Sequence, residues 1–328
     1  MRAHLAATDA AADRPVLVTG ASGFVGLAVC RRLAAESARF VAVCRPGRAD
    51  TVRAHLGPHG QAVEVDATDA DALRRALAGV QPAALIHCAA AGVHPGRREV
   101  EPLVAGNVGL TLAWLRFAAA AGVDRFVHVG SCSEFGRVTA APIPAEAPTQ
   151  PTSAYGGAKA AASQLALGVG AALGLRVTVV RLFGVYGPGE GDHRLLPQVF
   201  FALERGQRLP MTAGTQVRDL LFVDDAARGL LAVARAVDAP AGRCLNLCTG
   251  QGVQVRALAR RAAALWPADA ALLDFGALPT RGDEPEVLVG DPSALTAATG
   301  FTATTSLDEG LLATLVAFRA ATPRGAHG

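Results

Sequence analysis

Tyr155 and Lys159 are the residues whose types and spacing best suit chemistry. Lys159 is the only lysine among 328 residues, and Tyr155 is one of two tyrosines. Residues four apart share one face of a helix, so the ammonium can approach the phenol hydroxyl. A nearby cation favours phenolate and lowers the phenol pKa from its ordinary value of about 10. The pair therefore predicts a general acid–base tyrosine tuned by lysine, the alternative being a solvated helix pair.

The length and composition indicate a protein with a large buried core. A chain of 328 residues with 51% apolar content fits one sizeable α/β domain with a smaller appendage. Arg, Asp, Gly or Pro interrupt every apolar run before it reaches the length of a membrane span, so no membrane association is expected. The first 13 residues contain Asp9 and lack the apolar core of a signal peptide, which predicts a disordered tail and a cytoplasmic protein.

The charge and the cysteines exclude two further classes of function. The net charge is only +3, and the arginines are scattered among few aromatic residues, so nucleic acid is not an expected partner. The six cysteines form no CxxC pair and no cluster with histidine at metal-ligand spacing. They are interpreted as small buried apolar residues, and no metal site is predicted.

A glycine-rich turn links the first predicted strand to the first predicted helix. The strand Val16 to Thr19 is followed by Gly20, Gly23 and Gly26, and a helical pattern begins at once. Glycines at such a turn let the backbone approach a pyrophosphate, which then lies at the positive end of the helix. The turn therefore predicts a dinucleotide site, although its G-x-x-G-x-x-G spacing differs from G-x-G-x-x-G.

Two arginines at the end of the next strand indicate which dinucleotide is bound. The strand Phe40 to Val43 leads into a loop that contains Arg45 and Arg48 and no Asp or Glu. A carboxylate at this place would bind the ribose 2′-hydroxyl of NAD, whereas guanidinium groups suit the 2′-phosphate of NADP. The loop therefore favours NADPH over NAD, unless both arginines are simply solvated loop charges.

Strands and helices alternate five times between Val16 and Val129. This alternation predicts an α/β fold with a doubly wound parallel sheet of the Rossmann type, whose ligands bind at the carboxyl ends of the strands. Ser131 and Tyr155 both fall at such ends, and a proline-rich loop from Pro142 to Pro151 separates them. The pattern becomes irregular after Phe183, which predicts a smaller C-terminal α/β region.

In this order and spacing, the glycine triplet, Ser131 and the Tyr155/Lys159 pair resemble one family. The chain from Val16 to about Phe318 is similar to the extended short-chain dehydrogenase/reductases, the NAD-dependent epimerase/dehydratase family of nucleotide-sugar enzymes. The resemblance implies that Ser131 shares the substrate oxygen with Tyr155 and that Lys159 also binds the nicotinamide ribose. It further implies cofactor contacts for Gly20, Gly23, Phe24, Val25, Gly26, Asp66, Ala67, Ala89, Ala90 and Phe183.

The same resemblance implies a nucleotide-diphosphate sugar as substrate. Arg218 and Arg281 resemble the two arginines that clamp the diphosphate, because two separated guanidinium groups fit its charge. Arg194 and Leu195 resemble the segment that lies along the nucleotide, and Ser133 falls beside the sugar. Each arginine could instead be a surface charge.

Departures from the family pattern narrow the expected reaction. Cys132 and Ser133 replace the Asp-Glu pair that eliminates water in the 4,6-dehydratases, so dehydration is disfavoured. Gly184 replaces a common Asn, which puts one substrate contact in doubt. The first hypothesis is an NADPH-dependent 4-ketoreductase of a nucleotide-linked 4-keto-6-deoxyhexose. The second is a nucleotide-sugar 4-epimerase that retains NAD, and the third is a non-catalytic nucleotide-binding scaffold.

The predicted organisation has two interleaved units and two tails. Residues 14–184 with 215–249 form the NADP-binding domain, and residues 185–214 with 250–322 form the nucleotide-sugar region. Residues 1–13 and 323–328 are tails. Ala-rich helices from Asn107 to Ala121 and from Ala154 to Leu173 allow close packing. By family resemblance they pair across a two-fold axis, which predicts a homodimer.

Overall fold

A seven-stranded parallel sheet forms the centre of the protein, whose structure is a computed structural model. The structure describes residues 14–92, 94, 99–138, 140–236, 240–267, 270–280, 282 and 284–321. The strands of the large sheet are β1 (Val16–Thr19), β2 (Phe40–Cys44), β3 (Gly60–Glu64), β4 (Ala84–His87), β5 (Arg125–Ser131), β6 (Val177–Leu182) and β10 (Arg243–Leu247). Three further strands between β6 and β10 belong to smaller sheets.

The helices alternate with these strands along the chain. They are α1 (Phe24–Ala35), α2 (Ala49–Arg53), α3 (Ala70–Ala76), α4 (Val100–Ala120), α5 (Ala154–Ala172), α6 (Leu195–Glu204), α7 (Val223–Arg235), α8 (Val255–Ala264), α9 (Ser293–Thr299) and α10 (Leu307–Ala321). Within α4, residues Ala105–Gly109 form a π-helical stretch. The helix therefore begins before Asn107, where the sequence pattern placed its start.

The strand order is β10-β6-β5-β4-β1-β2-β3, which confirms the predicted doubly wound Rossmann sheet. β1 pairs with β2 on one side and with β4 on the other, so the winding direction changes between β1 and β4. A crevice opens at such a change, outside the carboxyl ends of the strands. Thr19, His87 and Ser131 end three of these strands, so this edge of the sheet carries the glycine turn and the predicted catalytic serine.

Each face of the sheet has its own apolar core because side chains alternate along a strand. Leu17 and Val18 are both fully buried, yet they belong to different clusters on opposite faces. α1 and α7 pack together on the Val18 face, whereas α4 and α5 cover the Leu17 face. The small residues of α5 let that helix approach both α4 and β5 closely.

Helix α4 is the one described helix whose length and composition would suit a membrane span, with a mean hydropathy of 1.4. Its second half presents Trp114, Leu115 and Phe117 to the sheet, where all three are buried. Core helices of globular proteins commonly share this composition, and the packing here is of that kind.

The later part of the chain forms a smaller α/β region, as the sequence predicts. Its strands are β7 (Gly184–Tyr186), β8 (Leu209–Met211), β9 (Val217–Phe222), β11 (Gly252–Gln254), β12 (Leu273–Phe275) and β13 (Val287–Leu288). β9 is central and pairs with β7, β11 and β13. The predicted division into two units assigns β9 to the cofactor unit, whereas its backbone pairs with strands of the smaller sheet. That division otherwise remains a prediction.

Asp219 of β9 connects the smaller sheet to two loops. Its side chain is fully buried, and burial raises the pKa of its carboxyl. The carboxylate accepts hydrogen bonds from the backbone N–H groups of Thr249 (2.9 Å), Gly250 (2.9 Å) and Gly290 (3.3 Å), and from the Thr249 hydroxyl (2.7 Å). One side chain therefore joins β9, the end of β10 and the segment after β13.

We expect Asp219→Ala to lower the free energy of unfolding by about 3 kcal/mol, because it leaves buried N–H groups without acceptors. Denaturant unfolding measures this change. Asp224→Ala is the control, since Asp224 is exposed in the first turn of α7 and its loss should cost less than about 1 kcal/mol. Equal losses in the two variants would contradict the role given to Asp219.

Candidate active site

The glycine turn after β1 lies directly on the backbone at the end of β4. Gly20 has φ +65°, and a Cβ added there would lie 2.7 Å from the backbone nitrogen of Ala89. A Cβ on Gly26 would collide with the carbonyl oxygen of Gly20. Only glycine fits at both positions, so the turn and the strand end form a tight backbone cradle.

The first turn of α1 offers free donors to this cradle. Its N-cap is Gly23, which has no side chain to accept from the first N–H groups. Phe24 and Val25 are partly exposed and begin the helix. Unsatisfied N–H groups at a helix start bind phosphate oxygens well, so these residues fit the pyrophosphate of a dinucleotide. Their contact with cofactor remains a prediction.

Both positively and negatively charged side chains lie at the ends of β2 and β3. Arg45 and Arg48 are exposed, and no described residue forms a hydrogen bond or ion pair with either guanidinium. However, Glu64 lies opposite Cys44 in the strand register, and its carboxylate accepts from the backbone N–H groups of Arg48 (2.8 Å) and Ala49 (2.6 Å). The sequence interpretation that no carboxylate is available here was therefore wrong, because the acid comes from the neighbouring strand.

The other predicted cofactor residues lie along the same edge of the sheet. Asp66 is exposed and accepts from the backbone N–H (3.0 Å) and hydroxyl (2.7 Å) of Thr68, which lower the pKa of its carboxyl. Ala67 and Ala89 are partly buried, and Ala90 is exposed. The ring of Phe183 is buried against Phe135, and its contact with a cofactor remains a prediction.

Tyr155 and Ser131 are brought together at the end of β5. Ser153 caps α5 by accepting from the Gly156 N–H (3.1 Å), which places Tyr155 in the first turn. Burial raises the pKa of Tyr155 to about 12, against the opposing effects of a hydrogen bond with Ser131 and of the Arg194 charge. The phenol is therefore protonated at neutral pH and can serve as an acid.

Lys159 lies one helical turn further into the protein. Its side chain is almost fully buried, and its ammonium donates to the carbonyl oxygen of Val129 (2.6 Å). Burial lowers the pKa of Lys159, whereas the Glu134 and Cys88 charges raise it. The predicted lowering of the Tyr155 pKa by Lys159 does not appear in this geometry; Arg194 is the cation that lowers it.

Arg194 and Arg218, two of the predicted substrate arginines, already have carboxylate partners. Arg194 contacts Glu190 (3.0 Å) and the carbonyl oxygen of Val185 (3.0 Å). Arg218 contacts Glu284 (2.7 Å), and both side chains of that pair are about one-fifth exposed. The charges of Arg194 and Arg218 both act on Cys132, so these guanidinium groups lie near the strand end that carries Ser131.

The positions of three further predicted substrate residues say less about the site. Leu195 packs into the core of the smaller region, and Ser133 is partly buried, with its N–H bonded to the Ser131 hydroxyl (3.2 Å). Arg281 lies outside the described residues.

Sequence reasoning missed two residues that shape the site. Glu134 is fully buried below Ser131, and the Ser-x-x-Glu spacing of a capping box could have indicated it. Asn107, in the π-helical stretch, holds the loop after β4 by donating to the carbonyl oxygen of Ala91 (3.2 Å) and of Leu103 (2.8 Å). No signal in a single sequence points to that asparagine.

Comparison with known proteins agrees with this geometry. Residues 16–248 match the NAD dependent epimerase/dehydratase family. A dTDP-glucose 4,6-dehydratase of Streptomyces griseus is 32% identical over 245 residues, which cover 72% of this chain and 73% of that enzyme. A UDP-glucose 4-epimerase of Azospirillum brasilense is 29% identical over 276 residues, which cover 77% and 78%. The structure of MoeE5 in complex with UDP-glucuronic acid and NAD is similar with a TM-score of 0.80 and 28% identity, covering 94% of this chain and 100% of that one.

We expect Lys159→Met to keep or raise the stability by about 1 kcal/mol at neutral pH, because it removes a charge from a buried site. The folded pKa of Lys159 is lowered, so the penalty exists below that value and disappears as pH rises toward the unfolded pKa. Thermal unfolding between pH 7 and 10 should therefore give a difference between variant and parent that shrinks with pH.

Lys159→Arg is the contrasting variant for this measurement, because a guanidinium keeps the charge and needs more room. It should unfold at a lower temperature than the parent. If Lys159→Met were clearly less stable than the parent, the ammonium would be a stabilising structural group.

Proposed function

The chain belongs to the NAD-dependent epimerase/dehydratase family, and on that premise we propose that it reduces the keto group of a nucleotide-linked 4-keto-6-deoxyhexose with NADPH. The bound cofactor would supply the hydride to the keto carbon. Tyr155 donates a proton to the keto oxygen, and Ser131 orients that oxygen through its hydroxyl. Lys159 binds the nicotinamide ribose, and Gly20, Gly23 and Gly26 hold the pyrophosphate.

The observation that carries this proposal is the lack of a usable acid–base pair after Ser131. Burial raises the pKa of the Cys132 thiol to about 12, so that thiol stays protonated at neutral pH. Ser133 is a hydroxyl, and the nearest carboxylate, Glu134, is buried against Arg181 rather than directed to the site. Water elimination needs a second acid–base group, whereas ketone reduction needs only the phenol.

A 4-epimerase that retains NAD is the second candidate. Glu64 supports it, because its carboxylate lies against the loop predicted to bind the adenosine ribose, and a carboxylate there suits a 2′-hydroxyl better than a 2′-phosphate. The UDP-glucose 4-epimerase relative and the NAD in the MoeE5 complex also favour it. The exposed Arg45 and Arg48 favour NADPH instead, since two guanidinium groups that pair with no residue in the described part of the chain can bind a phosphate.

A nucleotide diphosphate sugar is the proposed substrate in both cases. Arg194 and Arg218 lie near the catalytic strand end, and each is held by an acid that a diphosphate would displace or share. Arg281 is proposed as the second diphosphate contact on family resemblance alone.

Cofactor identity separates the two candidates. The purified protein is denatured and any released nicotinamide identified, and the emptied protein is then titrated with NADPH and NADH. For the reductase we expect little retained cofactor and tighter binding of NADPH. The double variant Arg45→Ala/Arg48→Ala should weaken NADPH binding at least about tenfold and leave NADH binding unchanged, because charge-assisted hydrogen bonds to the phosphate are lost.

Arg53→Ala is the matched control, because Arg53 is an exposed arginine on the same loop-helix segment that already pairs with Asp50. It should bind both cofactors as the parent does. Stoichiometric NAD that survives purification would overturn the NADPH assignment, and the epimerase would replace the reductase.

We also propose that the protein is a cytoplasmic homodimer that pairs through α4 and α5. Val100 and Val104 are 57% and 47% exposed and lie four residues apart on α4.

Val104→Glu should convert a dimeric mass in solution into a monomeric one, since a charge would be buried at the interface. Val316→Glu on α10, at a site 60% exposed, should leave the mass unchanged. A monomeric parent at micromolar concentration would contradict the dimer.

A further inference from the structure

Glu134 is a fully buried carboxylate next to the proposed catalytic residues. Its Oε1 accepts from the backbone N–H of Ser131 (2.8 Å) and from the hydroxyl of Ser163 (2.9 Å). Its Oε2 accepts from Nε of Arg181 (2.9 Å), and the side chains of the pair are 0% and 3% exposed. A buried charge is costly unless it is paired and hydrogen-bonded, and here both conditions are met.

The surroundings of Glu134 are shaped to hold it. Arg181 lies opposite Gly130 in the register of β5 and β6, and it also donates to the carbonyl oxygen of Ala145 (2.9 Å). Its guanidinium lies over the ring of Phe135, 4.8 Å from the centroid. A Cβ at Gly130 would lie 2.6 Å from Oε1 of Glu134, so a glycine there leaves room for the carboxylate.

The carboxylate fixes the turn that carries Ser131. Residues Cys132–Glu134 form one turn of 3₁₀ helix with a capping box: the Ser131 hydroxyl accepts from the Ser133 N–H, and Glu134 accepts from the Ser131 N–H. These two reciprocal bonds set the backbone and the hydroxyl of Ser131 together. Because Ser131 lies close enough to lower the pKa of the Tyr155 phenol, the turn also affects the surroundings of that phenol.

Glu134 also contributes to the charge balance around the phenol and the ammonium. Its charge raises the pKa of both Tyr155 and Lys159, which keeps both groups protonated. Arg181 balances the carboxylate through its contact with Oε2. The titratable and charged groups facing Glu134 are Cys132 in its own turn, Tyr155 and Lys159 on α5, Arg181 on β6, and Cys244 on β10.

We propose that Glu134, held by Arg181, is a positioning residue of the active site. It orients Ser131 through the backbone N–H and places a fixed negative charge behind the Tyr155 phenol. The inference rests on the proposed function in that it takes Ser131 and Tyr155 as the catalytic pair.

The scarcity of tyrosine allows a direct test that needs neither substrate nor cofactor. In a Tyr186→Phe background Tyr155 is the only tyrosine, so tyrosinate absorbance after a rapid jump to alkaline pH reports that phenol alone. Glu134→Gln keeps the volume and the Oε1 acceptor but removes the charge. We expect tyrosinate to form at a pH lower by about half a unit or more, because an anion near the phenol is lost.

Turnover gives the second readout. With a 4-keto sugar nucleotide, Glu134→Gln should lower kcat about tenfold with KM nearly unchanged, which corresponds to one weakened transition-state hydrogen bond. Ser163→Ala is the control, since it removes one hydrogen bond to the carboxylate and keeps the charge. It should leave both the titration and kcat close to the parent values.

A second variant covers the case in which Glu134→Gln does not fold because Arg181 is left unpaired. Glu134→Gln/Arg181→Gln removes both charges, and tyrosinate should still form at a lower pH than in the parent, since Glu134 acts on Tyr155 more strongly than Arg181 does. An unchanged titration in the folded variants, with unchanged kcat, would overturn the inference.

The two proposals fail in distinguishable ways. If the parent reduces no keto sugar but Glu134→Gln shifts the titration, the proposed function is wrong and the positioning role stands. If the parent is an active reductase and neither readout changes in the variants, the positioning role alone is wrong.

Discussion

The close approach of Gly20 to Ala89 is the constraint on which the site depends. A Cβ at Gly20 would clash with the backbone of Ala89, so the end of β1 and the end of β4 can pack this closely only with glycine in the turn. This contact lies between β1 and β4, where the winding direction of the sheet changes. A crevice forms at such a change, and the start of α1 borders it. The place proposed for the cofactor is therefore shaped by backbone packing, before any charged side chain contributes.

In the described part of the chain, the charged side chains buried around the site are hydrogen-bonded. The Lys159 ammonium donates to a carbonyl oxygen, and Glu134 and Arg181 form a hydrogen-bonded pair. Near the opening of the site, Glu190 and Glu284 pair with the two described arginines proposed to bind substrate. A bound diphosphate would replace these carboxylates as the partner of the guanidinium groups. The substrate affinity should therefore depend on how much more strongly the arginines bind the diphosphate than their present carboxylates.

The sequence predicted those features that depend on local patterns. The buried strand Val16–Thr19, the glycine turn and the helix that carries Tyr155 were recognisable because hydrophobic period, turn residues and spacing agree within a short segment. The sequence did not predict features that depend on pairing between distant segments. Glu64 reaches the Arg48 loop only through the register of β2 and β3, and Glu284 meets Arg218 across 66 residues. The start of α4 was missed because its π-helical stretch breaks the 3.6-residue period.

That stretch in α4 has a consequence for changes in chain length. A π-helical segment holds one residue more than an α-helix would need over the same rise, so one wide turn at Ala105–Gly109 accommodates the extra residue between Val100–Val104 and Leu110–Ala120. Deleting any one residue between Ala105 and Gly109 would let the helix close into a continuous α form and would remove the wide turn in which Asn107 lies. The carboxamide of Asn107 would then leave the loop after β4. The position of Asn107 therefore depends on the number of residues in this segment. A deletion here would disturb the loop after β4 more than many substitutions would.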